Sequence, residues 1–193
     1  MKDYGLSVAA FVSSQEKTAI GPWPIREGLC TLEDHRDLPL DLQVRHLAAM
    51  DQIDAIIIAN APASHEELTL LASLDLDVLT FRVTLEKKLS ETESTILYDF
   101  PHTVRPDMSD YMARSTQPRI EYADRTIQAE NTRDLKRGDV VILNDGYGRY
   151  KGELHLVLKA MPNEGNKNVI GHLEDQELIL LQYLKPFRPF KLI

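Results

Sequence analysis

Cysteine, cationic side chains and long apolar runs are all scarce in this 193-residue sequence. The single cysteine, Cys30, cannot form an intramolecular disulfide, which fits a reducing compartment, and we interpret it as a buried or inert thiol rather than a nucleophile. Lys and Arg number 22 against 30 Asp and Glu, for a formal net charge of −8. This balance argues against nucleic-acid binding, which needs clustered cations. A small phosphorylated ligand needs only two or three cations and remains compatible with it.

Membrane and metal signals are also missing. No apolar run reaches the roughly 18–20 residues of a membrane span, and the first residues lack the basic and apolar regions of a signal peptide. We therefore expect a cytoplasmic protein without a membrane partner. The six histidines show no metal-ligand spacing and one thiol cannot build a zinc site, so no metal or other cofactor is expected. His46 is interpreted as a surface residue rather than a base.

The first part of the sequence alternates strand and helix patterns. Residues 6–13 form a short apolar run that predicts a buried strand, and residues 41–50 have apolar side chains at helical spacing. Residues 54–60 are almost continuously apolar, which is typical of a strand buried on both faces of a parallel sheet. Ser64 and Glu67 have the spacing of a capping box that opens another helix. The order predicts an α/β fold.

The pattern changes near residue 76, which predicts one domain over 1–76 and a second, β-rich domain over 77–193. The strands predicted in the second domain are 78–85, 94–98, 119–122, 139–143, 154–158 and 168–172. Residues 106–112 are compatible with one helical turn, and 178–184 with a short helix or a last strand. Such a series of strands favours a small barrel or sandwich.

The first domain is physically incomplete by this interpretation. Two β/α units cannot close a barrel, and a parallel sheet of two strands leaves its edges unpaired. We expect the second domain, another copy of the chain in a homo-oligomer, or a missing N-terminal barrel portion to cover them.

Three sequence segments carry a resemblance to a known family. They are Gly28–Arg36 (GLCTLEDHR), Arg105–Tyr111 (RPDMSDY) running on to Arg114-Ser115-Thr116, and Asn144–Leu154 (NDGYGRYKGEL). Together, and in this order, they resemble the 6-phospho-N-acetylmuramidases, formerly called outer surface proteins of unknown function. The resemblance implies the last two β/α units of a (β/α)8 barrel followed by a cyclophilin-like small β-barrel domain, with Cys30 replacing the usual proline. The six earlier units are absent, as expected of a truncated gene product or an excised fragment.

The resemblance also implies an activity, hydrolysis of N-acetylmuramic acid 6-phosphate–N-acetylglucosamine in peptidoglycan recycling. Glycoside hydrolysis usually needs two carboxyl groups that flank the scissile bond. Glu33 follows the first surviving strand and is the candidate catalytic residue, whereas its partner is expected in the missing strands. We therefore expect this chain to be inactive by itself, and the stereochemical outcome stays open. Alternatively, Glu33 pairs with His35 or Arg36 and orders the loop.

The implied substrate, a phosphorylated amino sugar, has a phosphate and a lactyl carboxylate, both suited to arginine. The candidate substrate-binding residues are Arg36, Asp107, Ser109, Tyr111, Arg114, Ser115, Tyr147 and Arg149. Alternatives remain for two of them. Arg149 could be solvated or pair with Asp145 or Glu153, and Asp107 could cap the turn after Pro106.

Two rival functions remain. The β-rich domain could be a non-enzymatic module that binds a phospho-sugar or another anion. A cyclophilin-like fold is also compatible with a peptide-binding or prolyl-isomerising barrel, although a fold does not by itself carry a function.

Overall fold

Two units make up the chain, Met1–Leu76 (unit 1) and Asp77–Ile193 (unit 2). The computed structural model describes residues 4–22 and 27–193. In that part of the chain, every helix is too short or too polar to cross a membrane.

Unit 1 contains a parallel sheet of two strands and two helices. Strands β1 (Ala9–Val12) and β2 (Ala55–Ile58) pair with Ala9 opposite Ala55. Helix α1 (Leu40–Ala49) connects the two strands, and helix α2 (His65–Ala72) follows β2. The predicted strand–helix–strand–helix order is therefore confirmed.

Within unit 1, one face of this sheet packs against the helices. Ala10 and Val12 of β1 are buried in a cluster with Leu40, Val44 and Leu47, because alternate strand residues point to the helical layer. The residues between them point the other way. Phe11 and Ile57 are consequently 46% and 44% exposed. The prediction that residues 54–60 are buried on both faces is wrong, since alternate residues of β2 are exposed.

The capping box predicted at α2 is confirmed. The Ser64 hydroxyl accepts a hydrogen bond from the Glu67 backbone N–H, and the Glu67 carboxylate accepts one from the Ser64 N–H. The same carboxylate also accepts hydrogen bonds from Ser14 Oγ (2.6 Å) and Gln15 N (2.8 Å). One side chain thus caps the helix and fixes the chain that leaves β1.

Unit 2 is built from eight strands. They are β3 (Leu79–Phe81), β4 (Val83–Leu85), β5 (His102–Thr103), β6 (Met112–Ser115), β7 (Asp139–Leu143), β8 (Leu154–Val157), β9 (Lys167–Leu173) and β10 (Pro189–Leu192). Five form an antiparallel sheet in the order β4-β9-β7-β8-β6, and three form a mixed sheet in the order β3-β10-β5. The predicted β-rich second half is confirmed. The expected closed barrel is not seen among the described strands, because β4 and β6 remain as sheet edges.

Two predicted strands of unit 2 are helical. Residues 94–98 lie in helix α3 (Glu91–Ser94) and the π-helical turn that continues it, Thr95–Asp99, where Ser90 and Glu93 form another capping box. Residues 119–122 form most of helix α4 (Pro118–Glu121) and its C-cap, and this helix begins with a proline. Proline suits the first turn of a helix because its missing N–H would have no helical partner there.

Other segments differ in detail. The predicted strand 78–85 is divided at Arg82 into β3 and β4, which belong to different sheets. Residues 106–112 do not form a helical turn but bend into β6. Residues 178–184 lie mostly in a 3₁₀ helix, Asp175–Tyr183, so the helical alternative holds.

Candidate functional site

The loop after β1 holds Glu33 in an ion pair. Glu33 begins a 3₁₀ turn, Glu33–His35, and accepts hydrogen bonds from Arg36 Nε (2.5 Å) and Nη2 (2.6 Å). Arg36 also donates to the backbone carbonyl of Glu27 (2.5 Å). The hydrogen bond from Arg36 lowers the pKa of Glu33. This is the loop-ordering pair that was the alternative to a catalytic role, and it also occupies Arg36.

Two histidines lie buried behind this loop. His35 is 0% and His46 2% exposed, and their rings meet at 2.7 Å between His35 Nε2 and His46 Nδ1. The expectation that His46 is a surface residue is wrong, because α1 presents it to the loop rather than to solvent. Burial, and secondarily the neighbouring His46, lowers the pKa of His35 to about 4. Both rings are therefore neutral near pH 7, and they hold the turn that carries Glu33 against α1.

The five-stranded sheet of unit 2 presents a face that is apolar in one half and cationic in the other. Met112, Val141, Val157 and Val169 belong to its apolar cluster. The strand pairing continues this face. Arg114 on β6 and Val141 on β7 are both opposite His155 on β8, and Leu143 on β7 is opposite Lys167 on β9. Side chains alternate along a strand, so Arg114, His155 and Lys167 lie on the face of this cluster.

At the β6 edge of this face, three arginines surround two carboxylates. We call this group the arginine cluster: Arg105, Arg114 and Arg119 with Asp107 and Glu153. Asp107 contacts Arg105 Nε (2.5 Å) and Arg114 Nη2 (3.0 Å). Glu153 contacts Arg119 Nη1 at 2.9 Å and Arg105 Nη1 at 3.9 Å. Glu153 is 1% exposed, whereas the side chains of Arg114 and Arg119 are each 26% exposed. The two carboxylates therefore bind guanidinium groups that remain partly exposed to solvent.

His155 completes the buried side of the cluster. Burial lowers the pKa of His155, with Arg114 and Lys167 adding to the effect against the opposing influence of Glu153. The neutral ring donates from Nε2 to Glu153 Oε2 at 3.0 Å. Glu153 is therefore the shared hydrogen-bond acceptor of His155 and Arg119.

Gly152 allows α4 to approach this loop. Its φ is +87°, and a Cβ atom built on it would lie 3.2 Å from Arg119 Cα. A side chain at this position would press on the backbone that presents Arg119. The glycine therefore contributes to the contact between Arg119 and Glu153.

Aromatic side chains of the loop between β7 and β8 adjoin the cluster. This loop contains the 3₁₀ segment Asp145–Tyr150, which bends at Gly148. The guanidinium carbons of Arg119 and Arg149 lie 5.2 and 4.9 Å from the centre of the Tyr150 ring. Arg149 also donates to the Tyr150 hydroxyl (2.9 Å), a partner that the sequence did not predict.

Tyr147 packs edge-on against Tyr150, with ring centres 5.6 Å apart. It also lies beneath Lys167, whose Nζ is 5.2 Å from the Tyr147 ring centre. Through Tyr150, Tyr147 and Arg149 therefore adjoin Arg119 of the arginine cluster.

Three other sequence candidates lie elsewhere. Ser115 is 1% exposed and hydrogen-bonds His102 Nδ1 (2.8 Å), because strand alternation turns it away from the face of Arg114. Ser109 accepts hydrogen bonds from the N–H groups of Tyr111 and Met112 and shapes the entry to β6. Tyr111 lies under Lys159, 5.7 Å from its Nζ. The hydroxyl groups of Ser109 and Ser115 therefore make hydrogen bonds within the fold.

Several site residues were not identified from the sequence as ligand contacts: Arg105, Arg119, Glu153, His155 and Lys167. Arg105 and Glu153 did occur in the quoted segments, so those segments held part of the signal. His155 and Lys167 become neighbours of Arg114 only through strand register. Among the described residues, no group of three or more His, Cys, Asp or Glu side chains is arranged to hold a metal ion.

Comparison with known proteins identifies the family. The chain matches the family model described as 6-phospho-N-acetylmuramidase, N-terminal, over residues 1–73, and its C-terminal counterpart over residues 79–193. It is similar to the crystal structure of an uncharacterized B. cereus protein, with 41% identity and a TM-score of 0.94, covering 100% of this chain and 55% of that chain. No curated protein matches it.

A second solved structure, of a conserved Enterococcus faecalis protein of unknown function, is 28% identical with a TM-score of 0.73. The match covers 100% of this chain and 51% of that one, so the chain spans about half the length of both solved relatives. The chain belongs to the 6-phospho-N-acetylmuramidase family, with segments that match both its N-terminal and its C-terminal model.

Proposed function

We propose that this chain is the substrate-binding C-terminal part of a glycosidase acting on 6-phosphorylated muramyl saccharides, and that it cannot hydrolyse them by itself. In this proposal, unit 1 is the last two β/α units of a (β/α)8 barrel. Unit 2 is the cyclophilin-like domain, and its arginine cluster binds an anionic group of the sugar.

The arginine cluster carries the proposal. Three guanidinium groups face only two carboxylates, which leaves one positive charge in excess on a chain whose net charge is −8. Arginine binds phosphate oxygens in pairs through its planar fork. Asp107 is 54% exposed, so a phosphate can take its place on Arg105 and Arg114.

The state of unit 1 supports the loss of catalysis. Glu33 is held by Arg36 with a lowered pKa, which suits a base or nucleophile but not a general acid, whose pKa is usually raised. A glycosidase needs a second carboxyl group across the scissile bond. In a barrel, the exposed sheet face with Phe11 and Ile57 would line the interior, and other strands would supply that group. Further barrel strands or a second copy of the chain would cover this face.

Binding can be tested by calorimetric titration with N-acetylmuramic acid 6-phosphate. We expect Arg114→Ala to weaken binding about ten- to a hundredfold, the effect of losing a charge-assisted hydrogen bond. Arg137→Ala is the matched control. Arg137 is an exposed arginine of unit 2 that donates to the Leu178 carbonyl, outside the cluster. Equal affinities for wild type and Arg114→Ala would remove the cluster as the binding site.

Hydrolysis needs a separate assay. The chain is incubated with the phosphorylated disaccharide, and released sugar is measured by chromatography. We expect no release above that in buffer. Release that disappears in Glu33→Gln would overturn the claim that the chain is inactive alone.

A second candidate function is a self-sufficient anion-binding module. The observation in its favour is that every residue of the arginine cluster belongs to unit 2. Titration with inorganic phosphate discriminates the two functions. A general anion module would bind phosphate as tightly as the phospho-sugar, whereas the C-terminal part of a glycosidase should prefer the sugar.

A further inference from the structure

Lys167 is a buried cation without a neutralising partner. The residue is 7% exposed, and its Nζ donates to Asn166 Oδ1 at 3.0 Å and lies over the Tyr147 ring. No ion pair joins it to a carboxylate in the described part of the chain. Burial lowers the pKa of its ammonium group, which only Glu164 opposes. Lys87, whose side chain is also 7% exposed, instead contacts the carboxylates of Glu93 and Glu130, each at 2.8 Å.

Lys167 faces the same side of the sheet as the arginine cluster. From Arg114 on β6 to Lys167 on β9 there are three strand intervals, roughly 14 Å between backbones at about 4.8 Å each. Both side chains are long. His155 lies between them, and the charges of Arg114 and Lys167 both lower its pKa. Tyr147 and Tyr150 form a continuous line of ring contacts from Lys167 to Arg119. The gap between the two cationic centres is therefore lined by aromatic rings, which pack well on the apolar faces of a sugar.

We propose that Lys167 is a second anion-binding point, so that unit 2 recognises a ligand with two anionic groups, one at the arginine cluster and one at Lys167. This inference rests on the proposed function and assigns to Lys167 the binding of the carboxylate of its ligand, whose phosphate is bound by the arginine cluster. The carboxylate of the sugar supplies the negatively charged partner that Lys167 lacks. It accepts hydrogen bonds from the ammonium protons of Lys167 that do not bind Asn166. A sugar phosphate without a carboxylate fills only the arginine cluster.

Three probes separate the two points. N-Acetylmuramic acid 6-phosphate has both groups, N-acetylglucosamine 6-phosphate has the phosphate alone, and N-acetylmuramic acid has the carboxylate alone. By calorimetry, we expect wild type to bind the first probe at least tenfold more tightly than the second. Lys167→Met, which keeps the length of the side chain and removes its charge, should abolish this preference.

The variant contains its own folding control. Because the phosphate-only probe uses the arginine cluster, Lys167→Met should bind it as wild type does, whereas Arg114→Ala should weaken both phosphorylated probes. Lys159→Met is the matched substitution. Lys159 also lies over a tyrosine, Tyr111, but it is 57% exposed and paired with Asp110. It should keep the wild-type preference.

Each other outcome has a definite meaning. If wild type binds the two phosphorylated probes equally, or if Lys167→Met retains the preference, Lys167 is not the second point, and phosphate binding by the cluster is unaffected. If neither phosphorylated probe binds, the proposed function itself fails. Should Lys167→Met lose binding to the phosphate-only probe as well, Lys167 acts on the arginine cluster as a whole, and the two-point ligand is excluded.

Discussion

The carboxylate of Glu153 accepts a hydrogen bond from Arg119 at 2.9 Å with one oxygen and from His155 at 3.0 Å with the other. Glu153 is 1% exposed, so its charge is removed from water and depends on these partners and on Arg105. Removing one member of such a buried group costs more than the group contributes as a whole, because the remaining charges are left uncompensated. Glu153 is therefore the structural centre of the arginine cluster.

Glu153→Ala should lower the free energy of unfolding by about 3 kcal/mol, the range for breaking a buried ion pair. Urea unfolding followed by circular dichroism measures the loss. Asp124→Ala removes an exposed carboxylate from the same unit and should change stability by less than about 0.5 kcal/mol. Similar stabilities of the two variants would show that Glu153 does not organise the cluster.

Gly152→Ala should both destabilise the chain and weaken anion binding. The substitution places a side chain at positive φ, which costs about 1–2 kcal/mol, and its Cβ presses on the backbone of Arg119. Gly165 provides the control, since its φ is +83° and a Cβ there meets nothing within 4 Å. Gly165→Ala should show the conformational cost alone, with wild-type affinity for N-acetylmuramic acid 6-phosphate. Equal binding by both variants would separate Gly152 from the site.

Short sequence patterns predicted helix α2 correctly but gave the wrong prediction for the segment that contains α3. The capping box at Ser64 and Glu67 was recognised, and α2 follows it. The same pattern occurs at Ser90 and Glu93, but the residues that follow, Thr-Ile-Leu-Tyr, favour a strand by propensity. The cap decides the conformation there, since it supplies hydrogen bonds that the first turn of a helix otherwise lacks.

The site was less predictable than the fold because it depends on register. Arg114 was a candidate because it stands in a recognisable segment. Its neighbour His155 lies 41 positions further along the chain, and Lys167 53 positions. They share a face only through the pairing of β6, β8, β7 and β9, and a shift of one residue would turn each to the other side. Ser115 shows the same rule in reverse, since it adjoins Arg114 in sequence and faces away.

Stability should also depend on pH through the His35–His46 pair. Burial holds the folded pKa of His35 at about 4, below the ordinary value of 6.5. Between these values the unfolded chain binds more protons than the folded one, so stability falls as pH decreases from 6.5 towards 4 and changes no further from this source below 4. The shift corresponds to roughly 3 kcal/mol at most. Below pH 6, the loop that carries Glu33 should therefore open more readily.

His35→Gln tests this dependence, because the amide can hydrogen-bond His46 Nδ1 as donor or as acceptor and does not titrate. Urea unfolding of wild type and variant at intervals between pH 7 and pH 4.5 should give similar stabilities at pH 7 and a smaller decline in the variant. Carboxylates titrate in both proteins, so the difference between the two curves isolates His35. His65→Gln replaces an exposed histidine of unit 1 and should reproduce the wild-type curve. A parallel decline in all three proteins would mean that His35 is protonated in the folded state and that the pair is not held neutral by burial.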